Sequence, residues 1–520
     1  MRIDTEFYSR IHTVRDLIDN SAEMYGEKAF IKYFKGEEVV EKSFIELREN
    51  SLALCRFIRS VCDRRMHIAV IGKTSYEYIT AITGTLVSGN VFVPFAPNIS
   101  VEEACELFED GDIEAIFYED AFDATAKQIA EKYGRLKVIV NMADESWFAD
   151  IYEKYGSDSE YAHLSDIELD PSECATIVYT SGTTGVRKGV MLSSENLLAN
   201  VTYTDFILNK DEVLLSVLPM HHIFCISSDY FSPLLNGYTV CLNGEIANIG
   251  RNLQTFQPTT MRLVPMICET LIRKVNILHK RFPMLPPREV AEKVFGKNIR
   301  WIAVGGAAVS QKLVEEYEKY GIHIIVGYGM TETSPKITTG DYSNRNKGSS
   351  GKIIKSLFDL RIVDGEIQVK GKCVMLGYYK KPEETAKAFT EDGYFRTGDL
   401  GRISDDGTHL FVTGRLKNLI ILSNGENISP EELEKKFVDE KVIKEIVVSE
   451  EDNKIIAEVF PDAEFAEAMG IENIEEYLNE KVKEANAGEK VEREIQILRI
   501  RETPFPKTTT GKIKRKTVTF

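Results

Sequence analysis

Two spacings of apolar residues take turns along this chain. Over residues 14–25 they recur every three to four positions, as on one face of a helix, whereas 68–71, 137–140 and 300–304 are short, mostly apolar runs of the kind that form buried strands. This alternation continues to about residue 340 and predicts an α/β fold of wound, parallel sheets. Residues 78–101 carry no charged side chain, a length that raises the question of a membrane span. Gly84, Gly89, Asn90, Pro94 and Pro97 break that run. The prediction is therefore a buried helix over 78–87, a turn at Ser88-Gly89-Asn90 and a buried strand over 91–95.

The pattern changes twice further on. Between 341 and 413, short β-type segments such as 360–363 and 366–369 are separated by Asp364-Gly365, Gly371, Gly393 and Asp405-Asp406-Gly407, which predicts hairpins in a distorted β-barrel. After Gly414-Arg415-Leu416-Lys417-Asn418, Ser429-Pro430-Glu431-Glu432 reads as a helix start, with Ser429 as N-cap and Glu432 closing a capping box. Strands over 443–448 and 455–460 and an acidic helix over 472–484 complete a small α+β unit. The expected division is a large N-terminal domain, 1–416, and a small mobile C-terminal domain, 417–520, with the boundary at Lys417.

Composition narrows the function. Sixty-four Lys and Arg against 81 Asp and Glu give a formal net charge of −17, which argues against a general nucleic-acid or anionic-membrane surface; any polyphosphate must be bound locally. The eight cysteines contain no C-x-x-C pair and most have apolar neighbours, as buried thiols in a reducing compartment do. The first residues, Met1-Arg2-Ile3-Asp4, are not those of a signal peptide. A cytoplasmic protein is expected.

The most informative stretch is Thr180-Ser181-Gly182-Thr183-Thr184-Gly185, followed by Val186-Arg187-Lys188-Gly189. Glycines let backbone N–H groups approach an anion, hydroxyls donate further hydrogen bonds and Lys188 adds a point charge. A flexible linker would not sit between an apolar strand and the helix-like run at 193–198. The P-loop pattern fails, because Arg187 stands where its second glycine is needed.

Five other segments are weaker alone. In Tyr328-Gly329-Met330-Thr331-Glu332, Glu332 is a candidate Mg²⁺ ligand and Thr331 a phosphate donor, although a plain strand-end turn reads as well. Asp399, after Gly398, could accept from both ribose hydroxyls or cap a turn. Gly305-Gly306-Ala307-Ala308 offers bare backbone for a flat ring, or simply a tight turn. His221 and His222 favour a pocket wall over a metal site, since adjacent side chains on a helix or strand point apart. Lys512, after Gly511 in a hydroxyl-rich loop, looks presented to a ligand.

In this order the segments resemble the adenylate-forming superfamily of acyl-CoA synthetases, peptide-synthetase adenylation domains and firefly luciferases, over nearly the whole chain. Leu218-Pro219-Met220-His221-His222, Gly377-Tyr378-Tyr379-Lys380 and Gly414-Arg415-Leu416-Lys417-Asn418-Leu419-Ile420 look most like bacterial medium- to long-chain fatty acyl-CoA synthetases. The resemblance implies ATP, Mg²⁺ and coenzyme A: a carboxylate attacks the α-phosphate to give acyl-adenylate and pyrophosphate, then the thiol displaces AMP. It implies that 180–188 embraces the β- and γ-phosphates, that Thr331 contacts the α-phosphate and that Glu332 holds the metal. Tyr328 would stack on adenine against Gly305-Gly306-Ala307, Asp399 and Arg415 would grip the ribose, and His222 would wall the acyl pocket. Lys512 would bridge carboxylate and α-phosphate, and rotation about Lys417 would replace it with the loop around Gly425. Arg187, Ala308, Asn418 and the missing Pro-Gly turn over 350–359 depart from the family wording.

The implied substrate is a carboxylic acid of the fatty type, which would bring weak association with a membrane surface, and no nucleic acid. The alternatives are transfer to a carrier-protein phosphopantetheine and a non-catalytic nucleotide-binding homologue; the presence of Glu332 and Lys512 argues against the second.

Overall fold

The strand Val91–Phe95 buries all five of its residues, so it can lie only at the centre of a covered sheet. In the computed structural model, which describes residues 5–180, 187–203, 212–340, 347–422, 427–507, 513 and 515, it does so. A first seven-stranded sheet runs in the order 377–378, 188–193, 174–180, 91–95, 67–71, 113–118, 138–141. Its last five strands are parallel and its first three pair antiparallel. A second seven-stranded sheet, in the order 323–326, 301–304, 260–263, 213–216, 239–242, 29–35, 38–43, is parallel except for the closing hairpin. The wound α/β architecture expected from the alternating pattern is thus present twice.

The helix Tyr76–Val87 is buried except at Glu77 and packs against the helix Phe44–Val61. Gly84 makes that approach close: a Cβ there would lie 2.9 Å from Leu54. Helix starts are fixed locally, with capping boxes at Thr13 and Asp16, Ser43 and Glu46, and Ser193 and Asn196. The uncharged run at 78–101 is resolved as the sequence predicts, into helix, turn and the strand Val91–Phe95. Among the described residues no helix is long and apolar enough to cross a membrane.

The hairpin-rich stretch forms a four-stranded antiparallel sheet in the order 358–363, 366–371, 395–403, 410–415. The short strand Lys352–Ile353 extends it through a bridge to His409. Beyond it, Ile443–Glu451, Lys454–Pro461 and Ile495–Ile500 form a three-stranded sheet with its own hydrophobic clusters around Ile455, Phe437 and Leu478. The helix Pro430–Lys435 seats this unit on the strand Leu410–Arg415. Here the expected capping box is corrected. Ser429 makes no cap hydrogen bond; its Oγ donates instead to the Thr413 carbonyl at 3.0 Å, crossing to the preceding sheet. Glu431 Oε2 lies within reach of the same hydroxyl at 3.1 Å, and the side chain turned toward these two acceptors brings no helix N–H to its oxygen. Of the eight cysteines, all free, five are buried.

Phe117 is fully buried in the first sheet. Phe117→Ala is expected to destabilise the protein by about 3–5 kcal/mol, read as a lower urea midpoint for loss of near-UV ellipticity; an unchanged midpoint would contradict this packing.

Candidate active site

In parallel sheets, ligand sites form in the crevice outside the carboxyl ends of the strands. The second sheet brings four chain segments to that edge. Trp301–Val304 and His323–Val326 are neighbours with Val304 opposite Val326, so Gly305-Gly306 and Gly327-Tyr328-Gly329 emerge side by side. A Cβ on Gly305 would stand 3.7 Å from the Gly327 carbonyl oxygen and 3.8 Å from the Phe224 ring. Gly306 has φ +80°, and with Ala307 it leaves an exposed strip of backbone. Thr260–Leu263 leads to Val264-Pro265, and Val213–Ser216 leads toward His221 and His222. Gly329 has no room for a side chain, since a Cβ would lie 1.8 Å from the Pro335 carbonyl oxygen.

Three of the sequence candidates meet directly. The Tyr328 hydroxyl donates to Asp399 Oδ2 at 2.7 Å, and Arg415 Nε pairs with Asp399 Oδ1 at 2.9 Å. Asp399 and Arg415 are opposite one another on paired antiparallel strands, which presets their ion pair. Burial, then the Asp399 charge, pushes the Tyr328 phenol well above its ordinary value, so it stays a donor. A carboxylate has about four lone-pair sites, so Asp399 can hold both partners and still accept from a ligand hydroxyl.

A second cluster forms around Glu332, which is 8% exposed. Tyr378 Oη donates to Glu332 Oε1 at 3.1 Å, and Met375 N–H donates to the Glu332 carbonyl at 2.9 Å. Burial pushes the Glu332 carboxyl up; its own backbone N–H and the Tyr378 hydroxyl oppose that. Tyr378 is there because the strand Gly377–Tyr378 pairs with Lys188–Ser193. Lys188 Nζ lies 4.8 Å from the Tyr378 ring centre and 2.6 Å from Glu384 Oε2. Thr180 stands opposite Lys188 in the antiparallel pair that leads into and out of the glycine-rich loop.

A magnesium ion that arrives on a nucleotide needs one or two protein carboxylates, and Glu332 fits as one. Among the described residues no group of three His, Cys, Asp or Glu could cage a metal. The donor set suits a metal carried in by phosphate oxygens.

The histidine pair needs a correction. The two rings do not point apart; their centroids are 4.2 Å apart at 43°, because the pair sits in a turn rather than in a helix or strand. Burial, then His222, lowers the His221 imidazole to about 3, so it is neutral at pH 7. His222 is half-buried, just before the short helix Ile223–Cys225.

Ser181, Gly182, Thr183, Thr184, Gly185, Gly425 and Lys512 lie outside the described residues. Lys417 is exposed, two positions after Arg415. Tyr378 and Glu384 carry contacts to the site that residue types alone do not assign; Gly377-Tyr378 belongs to the wording that carries the family resemblance, whereas nothing around Glu384 marks it.

The AMP-binding enzyme family matches residues 18–379, and its C-terminal domain matches 417–519. The chain belongs to the AMP-binding enzyme family. Among its relatives, the long-chain-fatty-acid–CoA ligase FadD15 of Mycobacterium bovis is 29% identical over 78% of this chain and 73% of its own length. The 2-succinylbenzoate–CoA ligase of Bacillus cereus is 29% identical over 79% and 81%. ATP-bound MatB from Rhodopseudomonas palustris shares the fold with a TM-score of 0.81 at 22% identity, over 97% of this chain and 98% of that one.

For this AMP-binding enzyme, Gly329→Ala should displace Tyr328 from Asp399, weakening ATP binding by calorimetry tenfold or more with the far-UV spectrum unchanged. Unaltered ATP affinity would contradict the steric assignment.

Proposed function

We propose that this chain is an AMP-forming acid–CoA ligase that activates a carboxylic acid of the fatty type as its acyl-adenylate and transfers the acyl group to coenzyme A. The observation that carries the reading is the meeting of Tyr328, Asp399 and Arg415, beside the contacts that join Glu332 and Lys188 through Tyr378, in a chain of this family. The FadD15 relative supports the fatty class.

Attack of one anion on another needs positioning and charge neutralisation more than an acid–base group. Asp399 and Arg415 hold the ribose, with Tyr328 and the strip at Gly305 to Ala307 flanking the base. The loop from Thr180 to Gly185, with Lys188, takes the β- and γ-phosphates, the part that leaves; Lys188 exchanges Glu384 for phosphate as it does so. Thr331 donates to the α-phosphate. Glu332 would hold the magnesium ion, which when bound neutralises phosphate charge. His222 faces the acyl carboxylate.

Lys512 bridges the two reacting anions in the first half-reaction. A turn about Lys417, between the domains 1–416 and 417–520, then exchanges it for the loop at Gly425, where the thiol enters. The Ser429 bond to Thr413 and the 3.6 Å Lys312–Asp439 pair cross this boundary. An exposed pair of that kind contributes only about 0–1 kcal/mol, so it does not lock the arrangement.

Lys512→Ala should abolish adenylate formation by tenfold or much more while leaving thioester formation from supplied acyl-adenylate nearly intact. Equal loss in both half-reactions, assayed separately, would contradict this division. A panel of acids from acetate to palmitate, scored for AMP release with coenzyme A or with a phosphopantetheine carrier as acceptor, tests the substrate and acceptor; activity with the carrier alone would overturn the coenzyme A assignment.

A further inference from the structure

Three charged side chains inside the fold play no part in the chemistry above. Asp229 is on the helical segment Ile226–Phe231, which continues from His222; Arg262 is on Thr260–Leu263, which leads to Val264-Pro265; Lys336 follows the turn Thr331–Thr333. They thus sit on the same elements that wall the expected acyl pocket, set back from its mouth. Asn200 clips these elements together, its side-chain amide donating to the Lys336 carbonyl at 3.0 Å and its Oδ1 accepting from Ser227 at 3.4 Å.

The cluster is not closed on itself. Asp229 and Arg262 are buried, and Asp229 Oδ2 accepts from Ser216 Oγ at 2.9 Å, while Oδ1 has no hydrogen-bond partner among the described residues. Arg262 Nη1 donates to Thr260 Oγ1 at 2.7 Å, and its guanidinium lies 4.4 Å from the Trp301 ring centre. Lys336 Nζ stands 5.5 Å from the Tyr203 ring centre. Lys336 is half-buried, and neither its Nζ nor the Nε and Nη2 of Arg262 is sealed off in the core. Among the described residues no carboxylate makes an ion pair with Arg262 or Lys336.

The charges do not balance. Burial, then Arg262, lowers Lys336 to about 8, which leaves it mostly protonated at neutral pH. Burial raises Asp229 to about 7 despite Arg262, so it is only half-ionised there. Glu212, the other carboxylate that acts on Arg262, is already paired with Arg300 at 2.9 Å, so the two cations face less than one uncommitted negative charge. Enclosed charges are costly unless paired, and an aliphatic tail would leave both cations without a partner.

We propose that Arg262 and Lys336 receive a carboxylate at the far end of the acyl chain, so that the acid activated is a dicarboxylic acid whose second carboxylate is bound and does not react. This rests on the acid–CoA ligase reading and narrows its substrate. Arg262 has four N–H donors beyond the one on Thr260, in a planar fork that matches a carboxylate, and Lys336 adds a mobile point charge. Asp229, when protonated, can donate from the oxygen that is now without a partner.

The test compares monocarboxylic acids with the α,ω-dicarboxylic acids of equal carbon number, by kcat/KM for CoA thioester formation and by calorimetric binding to the wild-type protein with AMP present. The wild type is expected to prefer the dicarboxylic acid at least tenfold at one or more lengths, and Lys336→Met to cut that ratio tenfold or more. Lys336→Arg, which keeps the charge, should retain most of it. Preference for the monocarboxylic acid at every length, or a ratio that Lys336→Met leaves unmoved, overturns the proposal. If Lys336→Met does not fold, wild-type calorimetry decides, and equal affinity for the two acids overturns it. Selective binding of the dicarboxylic acid without adenylation would uphold the tail site and sink the ligase reading; adenylation of monocarboxylic acids alone would do the reverse.

Discussion

The bond from the Tyr328 hydroxyl to Asp399, with Arg415 on the other carboxylate oxygen, is the contact on which the rest of the site depends. It joins the turn after a parallel strand of the second sheet to two strands of the antiparallel sheet. Arg415 is also two residues from Lys417, where the chain leaves for the C-terminal unit. One carboxylate therefore sets the distance between the crevice at the second sheet and the start of the C-terminal unit. The near-complete burial of Asp399 strengthens both contacts by keeping water off the carboxylate, although Arg415 remains partly exposed.

The constraint extends by packing. Gly329 lies against the Pro335 carbonyl with no space for a Cβ, which holds Thr331 and Glu332 in register with Tyr328. Glu332 then meets Tyr378, and Tyr378 brings Lys188 across from the first sheet. Lys188, Glu332 and Asp399, the groups proposed for phosphate, metal and ribose, are thus linked by backbone fit and a few hydrogen bonds. A nucleotide that engages one of them is presented to the others.

Much of this could be read in the amino-acid order. The strand Val91–Phe95 and the helix Val14–Tyr25 appear with the expected bounds, because the helix has a local cap at Thr13 and the strand follows directly on the turn at Ser88-Gly89-Asn90. Other ends moved by a residue or two, as with His67–Ile71 and Val138–Asn141, where sheet pairing rather than propensity sets the limit. The cap at Ser429 is absent because its side chain turns to a distant carbonyl, Thr413, and the His221 and His222 rings approach because their turn is neither helix nor strand. Tyr378 and Glu384 reach the site through strand pairing and a helix placed nearly two hundred residues after Lys188, a proximity that no local pattern encodes. The pairing of Asp399 with Arg415 is likewise a matter of register, invisible until the two strands are set side by side.

The central claim is that these groups activate a carboxylate at the α-phosphate of ATP. Exchange of labelled pyrophosphate into ATP, measured with the chain, magnesium and a carboxylic acid but no coenzyme A, tests it most directly. The account predicts exchange that depends on the acid and is lost in Asp399→Ala; ATP binding with no acid-dependent exchange for any acid in the panel would contradict it.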